Sequence, residues 1–376
     1  MKFYGAIAAL AMMVAGTAQA ADSVKVTDVA GREVTVELPV ERVILGEGRL
    51  IYGLATLDSE DPFARVVGWK DDLKKADPQT YDIYAAKYPR IDDIPTFGGM
   101  KDGTFDVEQA IALKPDVVIM NLEAKGATED GGYDDKLAAV GIPLVYIDFR
   151  EAPMKNTETS MKILGQLTGK EDRAADFIKF RADHIQNVLD RIAKANPEKP
   201  QVFIERAAGY SEECCMSFGN ENFGTMVEMA GGVNIAAAII PGTFGTINPE
   251  QVVASNPDQF VGTGASWEAY SPGGAWVGLG PDADMVEARR KLVGLMERPA
   301  FTGIKAVENG QIHAVWHQFY NSPYQFVVIE KMAKWFHPDL FADLDAEATF
   351  KELHDRFLPL DYQPGYFISV TDSATN

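Results

Sequence analysis

Short runs of consecutive apolar residues recur along this chain, separated by stretches in which apolar positions return every three or four residues. Arg42 to Leu45, Val66 to Gly68, Val117 to Met120, Leu144 to Ile147, Gln201 to Ile204 and Gln311 to Trp316 are the short runs. Continuous apolar character is what strands covered on both faces require, so these segments read as strands of parallel sheets. Helical stretches with Gly and Pro at their ends lie between them, which is the alternation of an α/β fold. One predicted helix is unusually long. From Lys170 to Ala195, Phe177, Ile178, Ile185, Val188, Leu189 and Ile192 share a face among charged residues, and Asn196-Pro197 stops it. At 1.5 Å per residue it runs about 39 Å, enough to cross between lobes as a rigid connector. Further helices are predicted at Phe223 to Met229, Gln325 to Phe336 and Ala346 to Phe357.

Two segments match each other across the halves of the chain. Phe105 to Ile119 reads FDVEQAIALKPDVVI and Ile247 to Val261 reads INPEQVVASNPDQFV. Each opens as a helix: Asp106 or Asn248 is placed as N-cap, with Gln109 or Gln251 three residues on. Pro249 takes the first helical position, where a missing amide hydrogen costs nothing. Each then passes through Pro115 or Pro257 into an apolar strand. The expected fold is therefore α/β, with two similar lobes of mostly parallel sheet flanked by helices, one long rigid interlobe helix, and a ligand cleft between the lobes. The expected division is 1–20 leader, 21–165 N-terminal lobe, 166–196 connecting helix and 197–376 C-terminal lobe.

The leader is read from Lys2, the apolar stretch Ala6 to Ala15 and Thr17-Ala18-Gln19-Ala20, a small-x-small pattern that places the cut after Ala20. That stretch is too short to span a bilayer, no later segment supplies roughly 20 apolar residues, and no cysteine near the cut offers a lipid anchor. The expectation is a soluble periplasmic protein with no membrane insertion. Its mature length of about 356 residues suits two domains. A formal net charge of −20 argues against nucleic acid and anionic membrane surfaces as partners. The adjacent Cys214 and Cys215 face an oxidising compartment, but a bond between neighbours is strained, so a partly buried thiol pair is the simpler reading and a reactive or ligand-contacting pair the alternative.

These residues resemble a known family. VTDVAGREVTVELPVERVI, EQAIALKPDVVI, GIPLVYID, GNENFGTMVEMAGGVNIA and the closing RPAFTGIKAVENGQIHAVWHQFYNSPYQFVVIEKMAKWFHPDLF are similar to the helical-backbone (class III) periplasmic solute-binding proteins of ABC importers for ferric siderophores, haem and vitamin B12. The resemblance covers nearly the whole mature chain, and the closing segment is nearest the iron-complex binders. It implies capture of a ferric-siderophore and its delivery to an ABC transporter permease dimer, with haem or vitamin B12 as the alternative ligand. It also implies that Glu108 and Glu250, at matching places on the two lobes, are permease-docking residues. A first-turn acid also complements the helix dipole, worth about 0.3–1 kcal/mol. No cofactor of the protein's own is expected, iron arriving only within the chelate.

The ligand site is expected on loops at the carboxyl ends of the strands. Gly46 to Tyr52 presents Arg49 and Tyr52; its counterpart, Glu205 to Tyr210, presents Arg206 and Tyr210. Arginine suits the anionic oxygens of a ferric complex, and aromatics stack on planar groups. Met100 and Lys101, Trp267, and His317 with Tyr320 complete the ligand-binding set, with Trp276 and Phe319 read as core. A haem would take its iron ligand from Tyr52, Tyr210, His317 or Tyr320. His313 and His317 are separated by four residues, about 13 Å along a strand, too far to share a metal. Hydrolase, phosphate-loop and zinc-protease motifs are missing, and Gly278-Leu279-Gly280-Pro281 is only a fragment of a dinucleotide fingerprint, so no enzyme is expected.

Overall fold

The computed structural model describes residues 22–371, so the expected leader lies outside the described residues. The first lobe carries a five-stranded, all-parallel sheet in the spatial order Thr96–Phe97, Val66–Lys70, Val43–Leu45, Val117–Asn121, Leu144–Ile147. Every residue of Val43–Leu45, Val117–Asn121 and Leu144–Ile147 is buried, which is why these strands read as unbroken apolar runs. An antiparallel hairpin, Ser23–Thr27 with Glu33–Glu37, precedes them.

The second lobe has seven strands. Gln201–Glu205, Gln259–Gly264 and Ile312–Trp316 are parallel neighbours at its centre, joined by the short parallel Val233–Asn234. Its edges are antiparallel: Met216–Phe218 and Phe244–Thr246 on one side, Phe367–Ser369 on the other. Two or three residues carry too little periodicity to mark such edges in a sequence.

The long helix spans Glu171–Ala195 and is about 37 Å long. A second helix, Pro153–Thr168, leads into it, and Gly169 at φ +67° makes the left-handed break between them. The Glu171–Ala195 helix touches both halves of the molecule. At its start the Arg173 guanidinium donates to the carbonyls of Thr56 and Phe357, each at 3.0 Å. Midway, His184 Nδ1 lies 2.6 Å from Oε1 of the fully buried Glu330 on the helix Gln325–Phe336.

The two matching segments form equivalent helices, Val107–Ala112 and Pro249–Ser255. Asp106 accepts from the Gln109 amide at 2.9 Å. Asn248 accepts from the Glu250 amide at 2.8 Å, while its own amide donates to Gln251 Oε1 at 3.2 Å. Glu108 and Glu250 are exposed in the first turns, and among the described residues neither is in an ion pair. Cys214 and Cys215 differ from the simpler expectation: they are joined as a vicinal disulfide.

Candidate ligand-binding site between the lobes

The loop after Val43–Leu45 turns sharply through Gly48, where a Cβ would collide with the Lys70 carbonyl and where the amide donates to Asp72 Oδ1 at 2.5 Å. This turn aims Arg49 across the interface. Its Nε donates to Asp72 Oδ2 at 2.6 Å and Nη2 to Glu47 Oε1 at 3.0 Å. Nη1 donates to two groups of the other lobe, Gln318 Oε1 at 3.0 Å and the Tyr320 hydroxyl at 2.6 Å. Arg150, just beyond Leu144–Ile147, mirrors it by donating to Glu47, to Glu123 and, at 3.0 Å, to Tyr320. Glu47 also accepts from the amides of Asn121 at 2.9 Å and Asn321 at 3.4 Å. A chain of alternating charge, Asp72–Arg49–Glu47–Arg150–Glu123–Lys101, thus lies under the cleft.

Burial alone would raise the Glu47 carboxyl, but Arg150 and Arg49 overcome it, with help from the Asn121 amide, and hold it at about 2. Asp72 is pushed up by burial, Arg49 opposing. His317 is held well below the usual imidazole range by burial, with Arg206, Arg49 and Arg150 adding repulsion. It is therefore neutral near pH 7. Its Nδ1 lies 2.8 Å from Thr263 Oγ1, and Nε2 has no partner among the described residues.

Above this floor is a cavity of about 240 Å³ lined by residues of both lobes, Arg49 and Ala76 from the first and Arg206, Trp267, His317 and Tyr320 among those from the second. Its aromatic wall is continuous: Trp267 meets His317 edge-on at 5.2 Å, and His317 meets Tyr320 at 4.3 Å. Tyr210 and Tyr270, 39% and 48% exposed, stand at the mouth. Arg206 differs from Arg49 in having no carboxylate partner among the described residues. Its Nε is buried without a hydrogen bond, Nη1 rests 3.9 Å from Met216 Sδ, and its carbon lies 4.8 Å over the Phe244 ring.

Six of the nine expected ligand residues thus stand at this cavity. Arg49, Arg206, Tyr210, Trp267, His317 and Tyr320 line one cavity. Lys101 and Met100 line a separate, smaller one of about 30 Å³ in the first lobe with Glu47, Glu123 and Arg150; Met100 is packed in the first-lobe core, while Lys101 is tied to Glu123 at 2.5 Å. Tyr52 is the correction. Its helix, Ile51–Leu57, points it into the protein, where its hydroxyl donates to Asp77 at 2.5 Å and its ring meets Trp316 and Tyr324. Three residues at the cavity were not anticipated, Ala76, Met216 and Tyr270, nor was Arg150 in the floor. Arg150 carried a usable signal, since it follows a strand as Arg49 does. His313 and His317 serve separate partners: His313 stacks on Trp335 at 4.3 Å and pairs with Gln259. Trp276 lies beneath Lys291, and Phe319 is fully buried.

Two α/β lobes bridged by a long helix around a charged, aromatic cleft define a class III solute-binding protein. Residues 61–318 match the periplasmic binding protein family, and the chain belongs to it. The crystal structure of the TroA-like periplasmic binding protein FepB from Veillonella parvula superposes with a TM-score of 0.83, at 33% identity, over 92% of this chain and 99% of that one. The cobalamin-binding protein of Halobacterium salinarum is 27% identical over 171 residues, 45% of this chain and 42% of that protein. The molybdate-binding protein MolA of Haemophilus influenzae is 24% identical over 250 residues, 62% of this chain and 66% of that protein. The chain spans less than half the length of the cobalamin-binding relative it matches. Among the described residues, no helix is long and apolar enough to cross a membrane, and no group of three or more His, Cys, Asp or Glu is gathered to hold a metal.

Proposed function

We propose that this protein is the periplasmic receptor of an ABC importer, capturing a ferric siderophore between its lobes and delivering it to a permease dimer. Under this reading residues 1–20 are a leader cut after Ala20, and 166–196 connect lobes formed by 21–165 and 197–376. The observation that carries the ligand class is Arg206, a guanidinium with no acid partner among the described residues, facing a cavity walled by Trp267, His317 and Tyr320. A half-buried cation that meets no acid of its own protein favours an anionic guest, and the aromatic wall favours one with planar groups. Arg49 plays a different part, because its donors are already engaged by Asp72, Glu47, Gln318 and Tyr320. It forms the floor and fixes Tyr320. Likeness to the FepB structure supports the same transport role; the cobalamin-binding relative supports a corrinoid as second reading.

The test is a titration of the chain from Ala21, followed by tryptophan fluorescence, with Trp267 as reporter in the wall. The panel is ferric hydroxamate, catecholate and citrate-type siderophores, their iron-free forms, haem, vitamin B12 and molybdate. Saturable quenching by one ferric chelate and not by its iron-free form is the expected result. Saturation by haem, corrinoid or molybdate instead would overturn the ligand while keeping the receptor. Arg206→Ala is expected to weaken the ferric chelate by about 1–3 kcal/mol, the cost of one desolvated charge-assisted contact, with no change in thermal stability. An unchanged affinity would remove Arg206 from the site.

A further inference from the structure

The loop from Arg206 to Met216 supplies four side chains to the cavity: Arg206, Ala207, Tyr210 and Met216. Its first half is fastened to the sheet. The Ala207 amide donates to Thr263 Oγ1 at 2.8 Å, the Ala208 amide to the Thr263 carbonyl at 2.9 Å, and the Val277 amide to the Ala208 carbonyl at 3.1 Å. Its far end is held as well, the Arg206 amide donating to the Met216 carbonyl at 2.9 Å and the Ile247 amide to the Cys215 carbonyl at 3.1 Å, while the tip between them is open, with Tyr210, Glu212 and Glu213 exposed. One distant side chain reaches both ends of the problem. Arg298, in the turn after the helix Met285–Leu295, donates through Nη1 to Glu205 Oε1 at 2.7 Å and through Nη2 to the Ser211 carbonyl at 2.6 Å. The rigid fork of a guanidinium fits this double duty, as a point charge would not.

We propose that Arg298 is a positioning residue for ligand capture, clamping the Arg206–Met216 loop onto the buried carboxylate of Glu205 so that Arg206 and Tyr210 keep their places at the cavity. The proposal rests on the reading of that cavity as the ligand site. Glu205 is an unusual anchor. It is 3% exposed, Oε2 is buried without a partner, and Arg298 is the charged group that faces it. The neighbouring strands bring Ser217 and Gly262 alongside in register and the Thr263 hydroxyl against its carbonyl, none of them charged. Arg206, next in the chain, turns instead toward Met216 and Phe244.

Burial pushes the Glu205 carboxyl up to about 7, with Arg298 opposing. The clamp is therefore a full ion pair above pH 7, and below it the Arg298 cation donates to an uncharged carboxyl. For folding the sign runs the other way. A carboxyl raised above its unfolded value near 4.3 makes the fold more stable on acidification, so loop loosening at pH 6 is not the onset of unfolding.

The experiment measures backbone hydrogen exchange in the ligand-free chain from Ala21, corrected for intrinsic rates, at pH 8 and pH 6. Glu205→Gln keeps the shape and a hydrogen-bond acceptor but removes the charge; Arg298→Gln removes the fork. At pH 8 both variants are expected to exchange the amides of 209–214 about tenfold faster than the wild type, with the strand Gln201–Ile204 unaffected. At pH 6 Glu205→Gln and wild type are expected to coincide. The ferric chelate selected by the titration should bind Glu205→Gln about tenfold more weakly at pH 8 and equally at pH 6. Equal loop protection in wild type and Glu205→Gln at pH 8 would overturn the clamp, whether or not Arg298→Gln folds. Loosening as expected, with no member of the panel bound by the wild type, would overturn the ligand reading and leave the clamp standing.

Discussion

Replacing Glu47 by alanine is expected to lower the unfolding free energy by about 3–5 kcal/mol, seen as a fall in the denaturant midpoint with an unchanged slope. The magnitude comes from what would be left behind. Glu47 is 8% exposed and accepts from Arg49, Arg150, Asn121 and Asn321, so it is the shared counter-charge of two buried guanidiniums and a tie between the lobes. Removing one member of a buried ion network strands the others, which costs far more than an exposed pair is worth. The pH dependence gives an independent check. Burial by itself would raise this carboxyl, yet Arg150 and Arg49 bring it to about 2, below its unfolded value. Its contribution, roughly 3 kcal/mol, is fully present above pH 4.5 and is lost as pH falls toward 2. The stability gap between wild type and Glu47→Ala should therefore close over that interval. A loss under about 1 kcal/mol at pH 7, or a gap that stays constant down to pH 2, would show that the network does not hold the lobes together.

The buried strands and the long helix were legible in the sequence because their signal is local. Val117–Asn121 and Leu144–Ile147 are covered on both faces, so each residue reports the same environment. The long helix has a charged outer face, and its apolar stripe repeats through 25 residues. The site was legible only in part, for a physical reason. That loops after the strands meet in the cleft follows from topology, but the division of labour between Arg49 and Arg206 depends on partners far away in the chain. Arg49 is engaged by Asp72, 23 residues on, and by Gln318, 269 residues on. Nothing in the Gly46 to Tyr52 segment announces either. Tyr52 failed for a related reason: Arg49 sits in the turn and Tyr52 in the helix after it, so one residue faces the cleft and the other the aromatic packing around Trp316 and Tyr324. Equivalent sequence positions on two lobes share a backbone path more surely than a side-chain role.

The double substitution Glu108→Ala with Glu250→Ala is expected to cut ligand uptake by cells at least tenfold while leaving the affinity for the ferric chelate unchanged. Both acids are exposed in the first turns of equivalent helices, and both helices are already capped, by Asp106 and by the reciprocal Asn248–Gln251 pair. Helix stability depends only weakly on these carboxylates, so the loss of each should cost no more than the roughly 0.3–1 kcal/mol of an acid at a helix start. A permease dimer offers the same surface twice, and one acid on each lobe can meet one cation on each subunit. Truncating a charge that becomes hydrogen-bonded at an interface typically costs 2–5 kcal/mol. Each single variant should therefore impair uptake, and the double variant should impair it more than either. Charge reversal to lysine at both positions should be more severe still, since it sets like charges against each other. Uptake that survives the double substitution intact, with thermal stability lowered slightly, would mean that the two glutamates serve only their own helices, and the docking face would have to be sought elsewhere on the lobes.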